Sequence, residues 1–247
     1  MKRFEGKIAI VTGSSRGLGK AIAFELASEG ATLILHASKK STESTKTFHQ
    51  IKNISPNSEL YFANFLNHDE IVAMMRLVQK KFRRVDILIN NAGAIKRQTF
   101  LKMTDEEWDI VTKVNIYGTY FVTKLLLPSI LKSTAGRIVN MSSICGLVGE
   151  YGLTGYCMSK AAIIGFTKAL AKEIAKYNIT VNAICPAFTD AGMANDIERN
   201  FLKQSIHSIP LRRVGKKEEV AKLVTFLCSE DAGYITGQAI SINGGLI

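Results

Sequence analysis

TGSSRGLGKAIA, residues 12–23, follows the short apolar run KIAIV and opens a stretch that reads as a helix. Gly13, Gly17 and Gly19 give it the spacing G-x-x-x-G-x-G, which differs from the G-x-G-x-x-G dinucleotide fingerprint. Glycine allows close backbone approach and dihedrals that other residues avoid. The amino end of the following helix presents free N–H groups suited to a phosphate. A glycine-rich turn alone also fits a simple tight turn. Its place between the first strand and the first helix favours a dinucleotide site.

Working outward, KIAIVT, TLILHA, ELYFAN, VDILIN, GRIVNMS, ITVNAIC and QAISIN read as strands, being short and rich in β-branched residues. Helical patterns separate them. GKAIAFELASEG ends at a glycine stop, and TDEEWDIVTKVNIYGTYFVTKLLLPSIL reads as one long helix with an acidic first turn after Thr104. The polar run SKKSTESTKTFHQ reads as a solvated helix face. Alternating strands and helices predict an α/β fold, a doubly wound, largely parallel sheet with helices on both faces. Ligands in such a sheet bind beyond the carboxyl ends of the strands, where the strand order reverses.

The chain has 247 residues, 47% of them hydrophobic and 21% charged, and reads as a single domain over residues 1–247. No apolar run is long enough to span a membrane. The start MKRFEGK reaches Gly6 before any apolar run, which is not a signal-peptide pattern, so a cytoplasmic protein is expected. Cys145, Cys157, Cys185 and Cys228 form no C-x-x-C pair, which argues against a metal site and a disulfide framework. Cys157 neighbours Tyr156, though packing is its simplest role. Lys plus Arg number 32 against 21 acids, a net charge of +11 that favours acidic partners. The basic residues are scattered, so nucleic acid is not expected; a phosphorylated cofactor or an acidic carrier protein fits the charge equally well.

The second strand ends in HASKK, without the acid that would bind a ribose 2′-hydroxyl in an NAD site. Arg16 and Lys39 offer cations and Ser38 a hydroxyl, which together favour NADP. In GYCMSK, Tyr156 and Lys160 lie four apart on one helix face. An ammonium near a phenol lowers its pKa towards the working range of a general acid. Ser142 and Ser143 follow the strand GRIVNM, where a hydroxyl can hold a substrate carbonyl or satisfy local backbone. Asn115, a poor helix former inside a helical stretch, holds either water or a neighbour's backbone.

TGSSRGLG, NNAG (Asn90 to Gly93), Asn115, Ser143 and YCMSK stand in the order and spacing of the short-chain dehydrogenase/reductase family, which the whole chain resembles. The resemblance implies a Rossmann-type sheet of seven parallel strands and a homotetramer. It implies Tyr156 as proton donor, Lys160 as ribose binder and tuner of Tyr156, Ser143 as orienter of the carbonyl, and Asn115 as support for a water relay. The implied cofactor residues are Gly13, Ser15, Arg16, Gly17, Leu18, Gly19, Ser38, Lys39, Asn64, Phe65, Asn91, Ala92, Gly93, Tyr156, Lys160, Pro186 and Thr189. Within the family the chain resembles 3-oxoacyl-[acyl-carrier-protein] reductases through KMTDEEWDIVTKVN and the stretch from IPLRRVG to SINGG. The implied reaction reduces a 3-oxoacyl thioester to its 3-hydroxyacyl form with NADPH, hydride going to carbon and the Tyr156 proton to oxygen. An NADP-dependent oxidoreductase of a polyol, sugar acid or other small carbonyl compound is the alternative, and a nucleotide-binding regulator without turnover a third.

Three departures from the family pattern stand out. In PAFTDAGM, Ala187 replaces the usual glycine and Ala191 the usual threonine, so Thr189 covers the nicotinamide amide or the hold there is weaker. Arg97 stands where an acid is usual, making the substrate mouth more basic. Lys124, Lys132, Lys168, Lys172 and Lys176 suit an acidic carrier, but Thr134 and Tyr177 occupy positions where related reductases often carry arginine.

Overall fold

The computed structural model describes residues 2–191 and 206–247. Gly192 and Met193, the last two residues of PAFTDAGM, lie outside them. Seven strands form one sheet: β1 Ile8–Val11, β2 Thr32–Ala37, β3 Glu59–Phe62, β4 Ile87–Asn90, β5 Arg137–Met141, β6 Thr180–Pro186 and β7 Ala239–Ile242. Each falls within its predicted segment or one residue beyond it. Their order is β3-β2-β1-β4-β5-β6-β7, and every pairing is parallel.

Among the described residues the main helices are α1 Gly17–Ser28, α2 Thr42–Ile54, α3 His68–Lys81, α4 Asp105–Val111, α5 Gly118–Ile130, α6 Thr154–Ile174 and α7 Lys217–Cys228. They cover both faces, so the central strands are buried on both sides and read as continuous apolar runs. Side chains alternate between the two layers. Ala9 and Val11 join Ile22, Leu26, Val220 and Val224 of α1 and α7. Ile10 packs on the other side with Met75 of α3, Leu126 of α5 and Ile174 of α6.

Local chemistry sets the helix ends. Ser41 begins α2 with a reciprocal capping box to Ser44, and Thr104 begins α4 with one to Glu107. Gly30, at φ 100°, follows α1 and supplies the predicted stop. The polar run begins α2, whose Ser44, Thr47 and Ile51 are buried while most of its other residues face solvent.

The predicted long helix over residues 104–131 is instead three pieces. Between α4 and α5 the backbone widens into a π-helical turn, Thr112–Tyr117. Such a turn inserts residues into the ladder and redirects side chains. Here it sends Asn115 inward, where it is fully buried. No described helix is long and apolar enough to cross a membrane.

The strand order reverses between β1 and β4. The glycine turn and the NNAG segment leave the sheet side by side at the carboxyl ends of these two strands.

Candidate active site

Thr12, the residue after β1, ties the two loops together. Its hydroxyl donates to the Ile89 carbonyl at 3.3 Å and accepts from the N–H groups of Asn91 and Ala92 at 2.9 and 3.0 Å. The Asn91 amide returns the contact, donating to the carbonyls of Thr12 and Gly13 at 2.9 and 3.0 Å. Gly13, at φ 63°, lies so close that a Cβ there would stand 2.9 Å from the Ala92 Cα. A Cβ on Gly19 would meet the Gly13 carbonyl oxygen at 2.3 Å. These glycines are therefore required by contact between two loops as well as by turn geometry.

The amino end of α1 fits a phosphate. Arg16 occupies the cap position without a side-chain cap, and the first turn carries no acid. Its N–H groups and positive dipole end are left to an anion. Ser15 is held by Thr47, whose hydroxyl donates to its carbonyl at 2.8 Å. Leu18 packs on the core beneath the turn. Arg16, Ser38 and Lys39 are all exposed. Beyond β3, Asn64 is exposed and Phe65 is buried. Pro186 ends β6, and Thr189 is buried, bridged to Gly215. Ala187 and Ala191 flank Thr189, Ala191 being buried too. The donor set fits a dinucleotide.

Ser143, Tyr156 and Lys160 converge at the carboxyl end of β5. Ser143 follows the strand and is buried, its hydroxyl accepting from the Cys145 N–H at 3.2 Å. The short turn that it caps, Ile144–Gly146, presses on α6: a Cβ on Gly146 would stand 2.7 Å from the carbonyl carbon of Lys160. Ser142 fastens the same junction by donating to the Lys160 carbonyl at 2.8 Å. The Lys160 ammonium is buried, donates to the Met141 carbonyl at 2.7 Å and lies 5.5 Å from the centre of the Tyr156 ring. Burial lowers its pKa to about 8.

The Tyr156 phenol departs from expectation. Burial pushes its pKa up, with the nearby Cys145 and Cys157 thiols in the same direction, while the Ser143 hydroxyl favours the ionised form. The sequence pointed to a lowering by Lys160. In the folded chain that ammonium is turned to the end of β5, and desolvation of the phenol prevails. A protonated phenol is the form able to give a proton away.

Asn115 holds backbone. Its Oδ1 accepts from the Ala94 N–H at 2.7 Å, and its Nδ2 donates to the Ala94 carbonyl at 3.0 Å and to the Ser159 hydroxyl at 2.9 Å. Of the two roles open to it, the structure displays this one. Gly93 passes between Asn115 and Lys160, since a Cβ there would lie 3.4 Å from Asn115 Oδ1 and 3.7 Å from Lys160 Nζ.

Arg97 is exposed and donates to the Tyr151 carbonyl at 3.3 Å, linking the loop after β4 to the one before α6. Lys124, Lys132, Lys168, Lys172 and Lys176 are exposed, as are Thr134 and Tyr177. Sequence reasoning missed Thr12, His36 and Ser159 as supports. Thr12 and Ser159 had a signal in adjoining the two motifs, whereas His36 sits inside an apolar strand and had none.

Beyond this geometry, the family model described as enoyl-(acyl carrier protein) reductase matches residues 13–247. The chain belongs to the short-chain dehydrogenase/reductase family, a class of nicotinamide-dependent oxidoreductases. It therefore acts between an alcohol and a carbonyl. It is 39% identical to the 3-oxoacyl-[acyl-carrier-protein] reductase of Thermotoga maritima over 246 residues, covering 99% of both chains. It is 38% identical to that of Haemophilus influenzae over 98% of both. It is also 39% identical to nodulation protein G of Rhizobium sp. (strain N33), over 100% of this chain and 99% of that one.

Proposed function

We propose that the protein reduces 3-oxoacyl thioesters presented on an acyl carrier protein to 3-hydroxyacyl thioesters, using NADPH. The observation that carries this reading is the junction of Ser143, Tyr156 and Lys160 at the end of β5, where desolvation favours the protonated phenol. The family model is described by enoyl reduction and two relatives by 3-oxoacyl reduction. A half-buried, desolvated phenol beside a serine hydroxyl supports the latter, because a ketone oxygen becomes an alkoxide that must be protonated.

When bound, the reduced dinucleotide supplies the reducing equivalent. Gly13, Ser15, Gly17, Leu18 and Gly19 would hold its phosphates, and Asn64, Phe65, Asn91, Ala92 and Gly93 would line its body. Pro186 and Thr189 would face its nicotinamide end. Arg16, Ser38 and Lys39 support NADP over NAD, because the end of β2 brings no acid to repel a 2′-phosphate. Lys160 would hold the ribose and keep positive charge near Tyr156, Ser143 would orient the carbonyl, and Tyr156 would give its proton to the oxygen. Asn115 would keep Ala94 and Ser159 in register, supporting any water relay from Lys160.

Five exposed lysines on and just beyond α5 and α6 support docking of an acidic carrier. Exposed Tyr117 and Tyr120, beside and on α5, offer apolar surface for a homotetramer. Four free thiols support a cytoplasmic setting. The test is loss of NADPH absorbance with a 3-oxoacyl thioester on carrier protein, with NADH and small polyols, sugar acids and ketones alongside. Rapid turnover of the thioester with NADPH is expected. Turnover confined to small carbonyls would replace the acyl reading, and equal use of NADH would remove the assignment to Arg16, Ser38 and Lys39.

A further inference from the structure

We propose that His36 is a positioning residue for the dinucleotide, fixing the glycine turn and the wall beyond β3 in a single register. This rests on the reading of the glycine turn as a dinucleotide cradle. His36 sits near the end of β2 and is 2% exposed. Its Nδ1 accepts from the Gly13 N–H at 3.0 Å, and its Nε2 lies 2.9 Å from the Ala63 carbonyl oxygen. A carbonyl only accepts, so Nε2 carries the proton and Nδ1 is free to accept. One neutral tautomer satisfies both contacts, and no other protonation state does.

The backbone closes the same joint. The His36 N–H donates to the Ser14 hydroxyl at 3.0 Å, and the Ser14 N–H donates to the His36 carbonyl at 2.9 Å. The imidazole also stacks on Phe65, with ring centres 4.4 Å apart and planes 17° apart. Phe65 in turn lies against Gly118, where a Cβ would come within 2.7 Å of its ring. A continuous line of contacts thus runs from Gly13 through His36 and Phe65 to the start of α5, three residues beyond Asn115.

This arrangement has two consequences for the cofactor. The Gly13 N–H is engaged by the imidazole, so Gly13 would meet the phosphates by close backbone approach while the free N–H groups come from the uncapped end of α1. Phe65, expected to line the dinucleotide, takes its ring orientation from His36. A residue that merely filled space would not need both ring nitrogens occupied. Burial holds the imidazole pKa down at about 4, so the neutral form persists throughout the neutral range.

Two amide variants separate the two hydrogen bonds. In His36→Asn the side-chain oxygen replaces Nδ1 and keeps the Gly13 contact. In His36→Gln the amide nitrogen replaces Nε2, keeping the Ala63 contact and losing that to Gly13. The readouts are NADPH affinity by fluorescence, KM and kcat under saturating NADPH, and Tm.

H36Q is expected to raise the Kd and KM for NADPH roughly tenfold, about the worth of one hydrogen bond, with kcat within about twofold. H36N is expected to stay within about threefold of the unmodified protein. Unchanged NADPH binding in H36Q, or equal weakening in both variants, would overturn the proposal. Should H36Q not fold, His36→Phe, which keeps a ring and removes both hydrogen bonds, takes its place with the same expectation. If the unmodified protein binds neither NADPH nor NADH, the cradle reading itself falls and takes this proposal with it. If it binds and the variants match it, His36 alone is misassigned.

Discussion

Tyr156 keeps its proton because the surrounding protein is a poor solvent for a phenolate, and Ser143 offsets that only in part. Lys160 loses charge more readily than an exposed lysine for the same reason, at about pH 8. Replacing Tyr156 by Phe removes the acid and leaves the ring, so turnover should fall on the order of 10²–10⁴-fold. NADPH affinity should change little, because the phosphate cradle is elsewhere. Parallel steady-state and binding measurements decide it, and retained turnover would remove Tyr156 as donor. The sequence singled these residues out through the combined motifs of the family it resembles, since Y-x-x-x-K alone is also a common structural pair. Their electrostatics were not legible there, because helical spacing places Lys160 beside Tyr156 without saying where its amine points. Met141, on the neighbouring strand, decides that.

At the scale of elements, two glycines mark joints that have different jobs. Gly19 packs α1 against the NNAG loop, and Gly146 packs the turn after β5 against α6. Gly19→Ala should cost on the order of 1–3 kcal/mol of stability through overpacking and weaken NADPH binding. Gly146→Ala should instead lower kcat more than NADPH affinity, since the short turn carrying Ser143 gives way before the long helix carrying Lys160. Urea unfolding, NADPH titration and saturating kinetics distinguish them; the same pattern in both variants would refute the division. All seven strands were legible as short β-branched runs. The break in the helix over residues 104–131 was not. Asn115 has poor helix propensity, yet only its bonds to Ala94 and Ser159, distant in sequence, make the π-helical turn worth forming.

On the scale of the whole molecule, His36 links acid stability to the cofactor cradle. Its pKa falls from about 6.5 in the unfolded chain to about 4 in the fold, chiefly by burial, against a smaller raising effect of the Ala63 carbonyl. Between those values the unfolded chain binds the extra proton. Stability is therefore fully present above about pH 6.5 and lost as pH falls towards about 4, by about 1.4 kcal/mol per pH unit. The stability of H36N should fall less steeply than that of the unmodified protein across this window. Urea denaturation at stepped pH measures the two curves, and parallel curves would count against a buried neutral imidazole.

The sequence by itself determined the sheet, its parallel strands and the motif residues, because periodicity and glycine spacing are local and survive without tertiary contacts. It also placed Tyr156 and Lys160 on one helix face, since i and i+4 are neighbours on any helix. Tertiary structure alone decided which loops touch, where the Lys160 ammonium donates, why Asn115 leaves the regular helix and that His36 ties Gly13 to Ala63. Each of these depends on groups far apart in the chain meeting in a desolvated interior, and hydrogen bonding and burial there have no signature in local sequence.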